Sequence, residues 1–290
     1  MNFLKKFPSI SILIAAGLWG LTGLFVRKLN TSGLDNMQLL FFRSSITAVT
    51  MSVYLLLTDK SQMKINPKDW WYFFGTGILS FALFGFCYFY TISHASMSVA
   101  AILLYTSPFF VMLMASVFFR EKITAAKIIA LIMAAAGCFM ICGTDHNVSL
   151  TPFVIFTGIA SGFCYALYSI FGRVALKKYS SATVTAYTFI FAAIGSMFVV
   201  DFPQIYSVMT VNPQAIMLTV IFSFISAVFP YIFYTNGLKY VDAGKASIMA
   251  TFEAVVAAIS GIIAFGESIT LIGIIGIVFV LSAVGVLNKK

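Results

Sequence analysis

The chain has 290 residues, 61% of them hydrophobic and 9% charged, whereas a soluble domain carries charge on roughly a quarter of its residues. That leaves too little polar surface to cover a globule in water, and spans of roughly 20 apolar residues each would use nearly the whole length, which excludes an added soluble catalytic domain. The formal net charge of +9 does not point to nucleic acid, because Lys and Arg fall between the apolar runs instead of forming one face.

Apolar windows bounded by charge and Pro/Gly punctuation predict ten spans, near 7–29, 36–57, 70–92, 98–119, 125–142, 150–175, 181–202, 213–237, 244–264 and 269–287. Lys5 and Lys6 precede the first. That run extends to about Val26 and no small-x-small cleavage site follows, so it reads as a span and not as a signal peptide, whose apolar core is about 7–15 residues. Connections are short, which makes neighbouring helices antiparallel, and the two longest carry Pro67 and Pro213.

Fifteen of the eighteen Lys and Arg fall on one side of this alternation, from Lys5 through Lys60, Arg120, Lys127, Arg173, Lys178 and Lys239 to Lys290. The other side has Arg27 and Lys28, and Arg43 lies inside the second span. By the positive-inside rule both termini are expected in the cytoplasm of a multi-pass cytoplasmic (inner) membrane protein.

Sliding the chain by 146 residues superimposes Phe119-Arg-Glu121-Lys-Ile123-Thr124 on Phe265-Gly-Glu267-Ser-Ile269-Thr270. The same shift pairs Trp19 with Tyr165, Arg27 with Arg173, Tyr88 with Tyr234 and Ala100 with Ala246. Two units follow, 1–146 and 147–290, each with five spans. An odd number makes the second unit enter the membrane from the opposite side, so the expected fold is an all-α membrane protein of ten helices in two inverted repeats, with a site between the halves and alternating access by rocking.

The paired units, with a W-G or Y-A first span, the stretch YTSPFFVMLMASVFFREKIT in the first copy and DAGKASIMATFEAVVAAISGIIAFGESIT in the second, resemble the EamA-type transporters of the drug/metabolite transporter superfamily. The resemblance extends over essentially the whole chain. It departs at one place: the family's Glu-Pro is here Glu253-Ala254, and the first copy keeps Pro108 but has Ser107 in the Glu position. What it implies is export or uptake of amino acids, related metabolites or drug-like solutes, leaning toward export. No enzymatic activity is expected, because the spans display no nucleophile motif or pair of acids.

A charged side chain in hydrocarbon costs about 2.5–3.5 kcal/mol even on the lenient insertion scale. Of nine acids only Glu253 lies mid-span, flanked by Ala246, Ala250, Ala254, Ala257 and Gly261, which permit close helix approach. It is a candidate for binding a proton or a substrate ammonium; the alternative is a neutral Glu that pins neighbouring helices. Arg43 is open to three roles: a substrate carboxylate site, a structural pair with an acid or helix carbonyls, or snorkelling to the outer surface. Pro108 and Pro230 lie within spans, as hinges or as ordinary membrane-helix prolines.

Polar-tipped aromatics inside spans, Trp19, Tyr88, Tyr105, Tyr165, Tyr168 and Tyr234 among them, are candidates for cavity walls that would hold apolar or cationic solutes. Ser107 and Asn236 are candidates for directional hydrogen bonds, and helix packing is the competing role for all of these. Cys87, Cys138, Cys142 and Cys164 read as reduced core thiols. His94 and His146 have no companions at metal spacing, and no nucleotide-binding or hydrolase motif is present, since 158–162 reads Gly-Ile-Ala-Ser-Gly, a packing motif. No cofactor or metal is expected; the expected partners are a small-molecule substrate, protons as a coupling ion, and the bilayer. An intramembrane or lipid-modifying enzyme and a channel-like facilitator are the alternatives.

Overall fold

A computed structural model describes residues 7–143 and 151–288. Ten helices are long and apolar enough to cross a membrane: Pro8–Thr31, Asn36–Thr58, Pro67–His94, Met97–Phe119, Ala125–Cys142, Pro152–Ala175, Ser181–Val199, Pro213–Leu238, Ala243–Phe265 and Leu271–Asn288. They coincide with the ten predicted spans to within about three residues at each end. Lys5, Lys6, His146, Lys289 and Lys290 lie outside the described residues.

The bundle sorts its residues as a bilayer requires. Large apolar side chains such as Leu57, Val117, Phe198, Ile263 and Leu271 point outward, which in water would be an aggregating surface but in lipid carries no penalty. Small and hydroxylated residues fill the inside, including Ser44, Thr91, Ser196, Thr219 and Ser223. Each of these hydroxyls donates to the carbonyl four residues earlier, at 2.6 to 2.9 Å, and so is satisfied within its own helix. Two hydroxyl pairs bridge spans: Thr76 to Thr188 at 2.6 Å and Thr91 to Thr157 at 3.0 Å.

The packing obeys the twofold relation of the repeats. The second span lies on the seventh and the fifth on the tenth, each pair being repeat mates. The first packs on the eighth and, equivalently, the sixth on the third; the ninth crosses the first and the fourth crosses the sixth. Glycine makes the last two crossings possible. A Cβ on Gly20 would meet the Glu253 carbonyl oxygen at 2.6 Å, and one on Gly162 would meet Thr106 Oγ1 at 2.6 Å. Gly158 and Gly162 thus serve the packing role expected of their motif, against Leu103 and Thr106.

Several spans are not continuous α-helices. The first is interrupted at Leu21, the fourth at Tyr105–Thr106 and the ninth at Thr251. The breaks in the fourth and ninth fall at the same repeat position. The third and eighth contain π-helical turns, Gly75–Ala82 and Phe224–Val228, again at equivalent positions, and such turns are frequent at functional sites. Pro108 and Pro230 sit at the start of the helical segments Ser107–Phe119 and Phe229–Leu238, where the missing N–H leaves no bond unmade. Pro108 therefore follows the break at Tyr105–Thr106, whereas Pro230 comes directly after the π-helical turn inside the unbroken span Pro213–Leu238.

The connection around Pro213 is a helix, Phe202–Val211, capped by Asp201, whose carboxylate accepts from the Gln204 backbone N–H at 3.0 Å. Gln204 ties it to the second span by accepting from Gln38 at 2.9 Å and to the preceding turn by donating to the Gly33 carbonyl at 3.0 Å. At the basic end Asp69 accepts from Lys178 at 2.8 Å and Tyr179 at 2.7 Å, joining the third span to the connection after the sixth; the bond to Asp69 holds the Lys178 ammonium above the ordinary lysine range.

The carbonyl facing Gly20 belongs to a packed backbone and cannot move aside, so Gly20→Ala is expected to destabilise the protein by about 1–3 kcal/mol. Gly17→Ala, whose added methyl meets nothing within 4 Å, is expected to leave the thermal midpoint in detergent unchanged. Equal midpoints for the two variants would argue against the close approach.

Candidate functional site

Between the halves lies an aromatic cavity lined by Trp19, Ser80, Phe81, Phe84, Tyr165, Tyr168, Ser169, Tyr231 and Tyr234. It is contracted around the rings, so that little more than about one water would fit. Trp19 is its centre: the indole packs edge-on against Tyr165 at 6.4 Å and Tyr231 at 5.3 Å, and tilted against Tyr234 at 5.3 Å between ring centroids. These are favourable aromatic geometries. The repeat mates Trp19 and Tyr165 thus meet in one chamber, as the twofold relation expects.

Two wall tyrosines are anchored from behind. Tyr168 Oη lies 2.7 Å from Thr235 Oγ1, and Tyr234 Oη lies 2.8 Å from Ser169 Oγ. These bonds fix the rings. The hydroxyls of Tyr165 and Tyr231 make no hydrogen bond among the described residues, and these two rings lie within electrostatic reach of both Glu253 and Arg43.

Glu253 stands in the first turn of Phe252–Phe265, immediately after the break at Thr251. The first turn of a helix carries free N–H groups and a partial positive charge, which suits a carboxylate. The residue is half-buried; its carboxyl has no hydrogen-bond partner among the described residues and is near enough to interact electrostatically with Tyr88, Tyr105, Tyr165, Tyr231 and Tyr234. Gly20 is what lets this turn come against the first span, beside Trp19.

Arg43 provides the opposite charge. Its guanidinium carbon lies 4.4 Å from the centroid of Phe81, a cavity wall, in cation–π geometry. Its Nε is buried without a partner, and no carboxylate among the described residues pairs with it. Tyr165 and Tyr231 are within its electrostatic reach. One carboxyl and one guanidinium, neither paired among the described residues, therefore reach the same two tyrosines.

A scan against protein families matches the EamA-like transporter family over residues 6–143 and again over 152–289. The chain belongs to the EamA-like transporter family. Among curated proteins, an uncharacterised transporter of Archaeoglobus fulgidus is 26% identical over 283 residues, covering 96% of this chain and 95% of the relative. The pseudopaline exporter CntI of Pseudomonas aeruginosa is 28% identical over 170 residues, 59% of this chain and 56% of the exporter. A solved crystal structure shares the fold, with a TM-score of 0.82 at 15% identity over 98% of this chain and 96% of the other.

Of the residues singled out in the sequence, this EamA chain brings Trp19, Tyr165, Tyr168 and Tyr234 into the cavity wall. Tyr88 stacks on the wall residue Phe84 at 5.4 Å and so stands one ring behind it. Tyr105 lies at the break of the fourth span, packed against Cys138, Ala254, Val255 and Val280. Ser107, the repeat mate of Glu253, is buried in the first turn of its segment. Asn236 is half-buried and off the cavity lining, next to the Thr235 that holds Tyr168. Ser80, Phe81, Phe84 and Ser169 complete the wall with no signal in the sequence to mark them. With 31 Phe in the chain, nothing in the pattern separates a phenylalanine that lines a cavity from one that faces lipid.

Trp19 is also a reporter. Replacing Trp70 and Trp71 by Phe leaves it as the one tryptophan, and a solute entering the cavity is expected to change its emission saturably. An unchanged spectrum with a solute whose transport saturates would place the binding site elsewhere.

Proposed function

We propose that this transporter is a secondary carrier that exports small organic solutes of the amino-acid type, or related cationic metabolites, by alternating access between its two repeats. The basic end of the bundle faces the cytoplasm, with both termini, in the inner membrane. The observation that carries the reading is the pair of unpartnered charges at one aromatic cavity, Glu253 and Arg43. A lone charge held away from water is destabilising unless something completes it. A solute bearing an ammonium and a carboxylate would complete both, its apolar part lying against Trp19 and the tyrosines. When no solute is bound, a proton on Glu253 serves in place of the ammonium, and this exchange couples solute movement to a proton gradient. The exporter among the relatives supports the direction.

The family resemblance suggested a Glu-Pro at the ninth span, and Ala254 stands where that proline would be. The helix starts there all the same, because the break at Thr251 supplies the interruption.

The test is flux in proteoliposomes with labelled amino acids and organic cations, with and without a pH gradient. The wild type is expected to show saturable flux that responds to the gradient. Glu253→Gln is expected to keep the fold and lose the pH response together with most of the flux, because the amide is neutral at every pH. A Gln variant with normal flux and pH response would make Glu253 a packing residue. Flux that rises linearly with concentration would favour a channel-like facilitator, and chemical conversion of the solute would favour an enzyme.

A further inference from the structure

The repeat offset pairs two charged contacts at opposite ends of the bundle. Glu121 and Arg173 lie at the basic end; their mates, Glu267 and Arg27, lie at the other. The two contacts differ in how much they hold. At the basic end the Glu121 side chain is 7% exposed and sits 3.8 Å from Arg173 and 3.7 Å from Lys127. Its carboxylate also accepts from the backbone N–H groups of Ala243 at 2.8 Å and Gly244 at 3.3 Å, capping the first turn of the ninth span. Arg173 donates to the Leu238 carbonyl at 3.0 Å and to the Val241 carbonyl, and Lys127 donates to Asp242 at 3.0 Å. Spans of both repeats are tied there: the ends of the fourth, sixth and eighth and the starts of the fifth and ninth.

At the far end Arg27 donates to Glu267 at 2.8 Å, but the two side chains are 58% and 55% exposed. Arg27 borders an open surface recess whose other lining residues are Leu24, Lys28, Thr31, Ala264 and Phe265. The 146-residue shift carries Ala243 and Gly244 onto Met97 and Ser98, the first turn of the fourth span. Glu267 does not reach that turn. It is capped by Ser96, whose hydroxyl accepts from the Val99 N–H at 3.2 Å.

We propose that these two clusters are the gates of the transport cycle and that the structure is the state closed at the basic end and open at the other. Each gate is a glutamate, repeat-related to the other, that caps the first turn of a broken span in the opposite repeat. In the alternate state Glu267 caps Met97–Leu104 and closes the far end, while Glu121 releases Ala243–Ala250. The swap exchanges one buried carboxylate site for an equivalent one, which keeps the two states close in energy. Lys127 and Asp242 have no charged mates, since the shift lands them on Gly273 and Ser96, and these extra bonds bias the resting carrier toward closure at the basic end. The inference rests on the carrier reading above.

Hydrogen exchange of the full chain in lipid, with no solute present, tests it separately from transport. Glu121→Gln is expected to speed exchange in 243–250 and, as the far end closes, to slow it in 97–104 by about threefold or more. Glu267→Gln, which touches only an exposed pair and so carries little risk to folding, is expected to slow exchange in 243–250 further. Faster exchange in 243–250 of Glu121→Gln with no change in 97–104 would reduce Glu121 to a local cap and overturn the proposal. So would an unchanged 243–250 in Glu267→Gln. Failure of the carrier reading would appear instead as absent flux with these exchange shifts intact.

Discussion

Hydrocarbon offers no hydrogen-bond partner, so every polar group inside a bilayer has to be satisfied within the bundle or by what the bundle binds. Most of this chain complies locally. The buried serines and threonines donate back to their own helices, and Tyr168 and Tyr234 are held by Thr235 and Ser169. Among the described residues the hydroxyls of Ser11, Thr22, Thr47 and Ser226 and the Arg43 Nε have no partner, and of the carboxyl and guanidinium groups near the cavity those of Glu253 and Arg43 are without one. Both lie within electrostatic reach of the chamber tyrosines Tyr165 and Tyr231, and the close approach at Gly20, the break at Thr251 and the cation–π seat on Phe81 are the devices that hold them there. The unmet charge is thereby placed where a solute can meet it.

The second organising fact is symmetry with a deliberate imbalance. Equivalent breaks in the fourth and ninth spans, equivalent π turns in the third and eighth, and mirrored crossings of first on eighth and sixth on third give each repeat the same moving parts. If both halves were in the same conformation, the two ends would be alike. They are not: a buried glutamate with four donors around it stands at one end and an exposed ion pair beside a surface recess at the other. Exchange of the two repeat conformations would invert that difference, which is the physical content of alternating access.

The spans were legible because length and hydropathy are what a bilayer selects, and the repeat was legible because Phe-x-Glu-x-Ile-Thr recurs at one offset. The interruptions were not, since hydropathy is blind to which carbonyl an N–H bonds; Leu21 and Thr251 look no different from their apolar neighbours. The helix Phe202–Val211 is too short to announce itself as a span and reads in the sequence as part of a connection. In the cavity, polar-tipped Trp19, Tyr165, Tyr168 and Tyr234 stood out, whereas Phe81 and Phe84 did not. The ion-pair clusters join residues up to 240 positions apart, which no local pattern encodes, although the pairing of Arg27 with Arg173 and Glu121 with Glu267 had already marked their members.

The most direct measurement is equilibrium binding of a matched set to the purified transporter: one amino acid, the amine left by removing its carboxyl group, and the acid left by removing its amino group. The account predicts that the zwitterion binds more tightly than either relative, that Glu253→Gln loses its preference for the zwitterion over the acid, and that Arg43→Gln loses its preference over the amine. Binding of all three with equal strength to the wild type, or discrimination that survives in both variants, would contradict it.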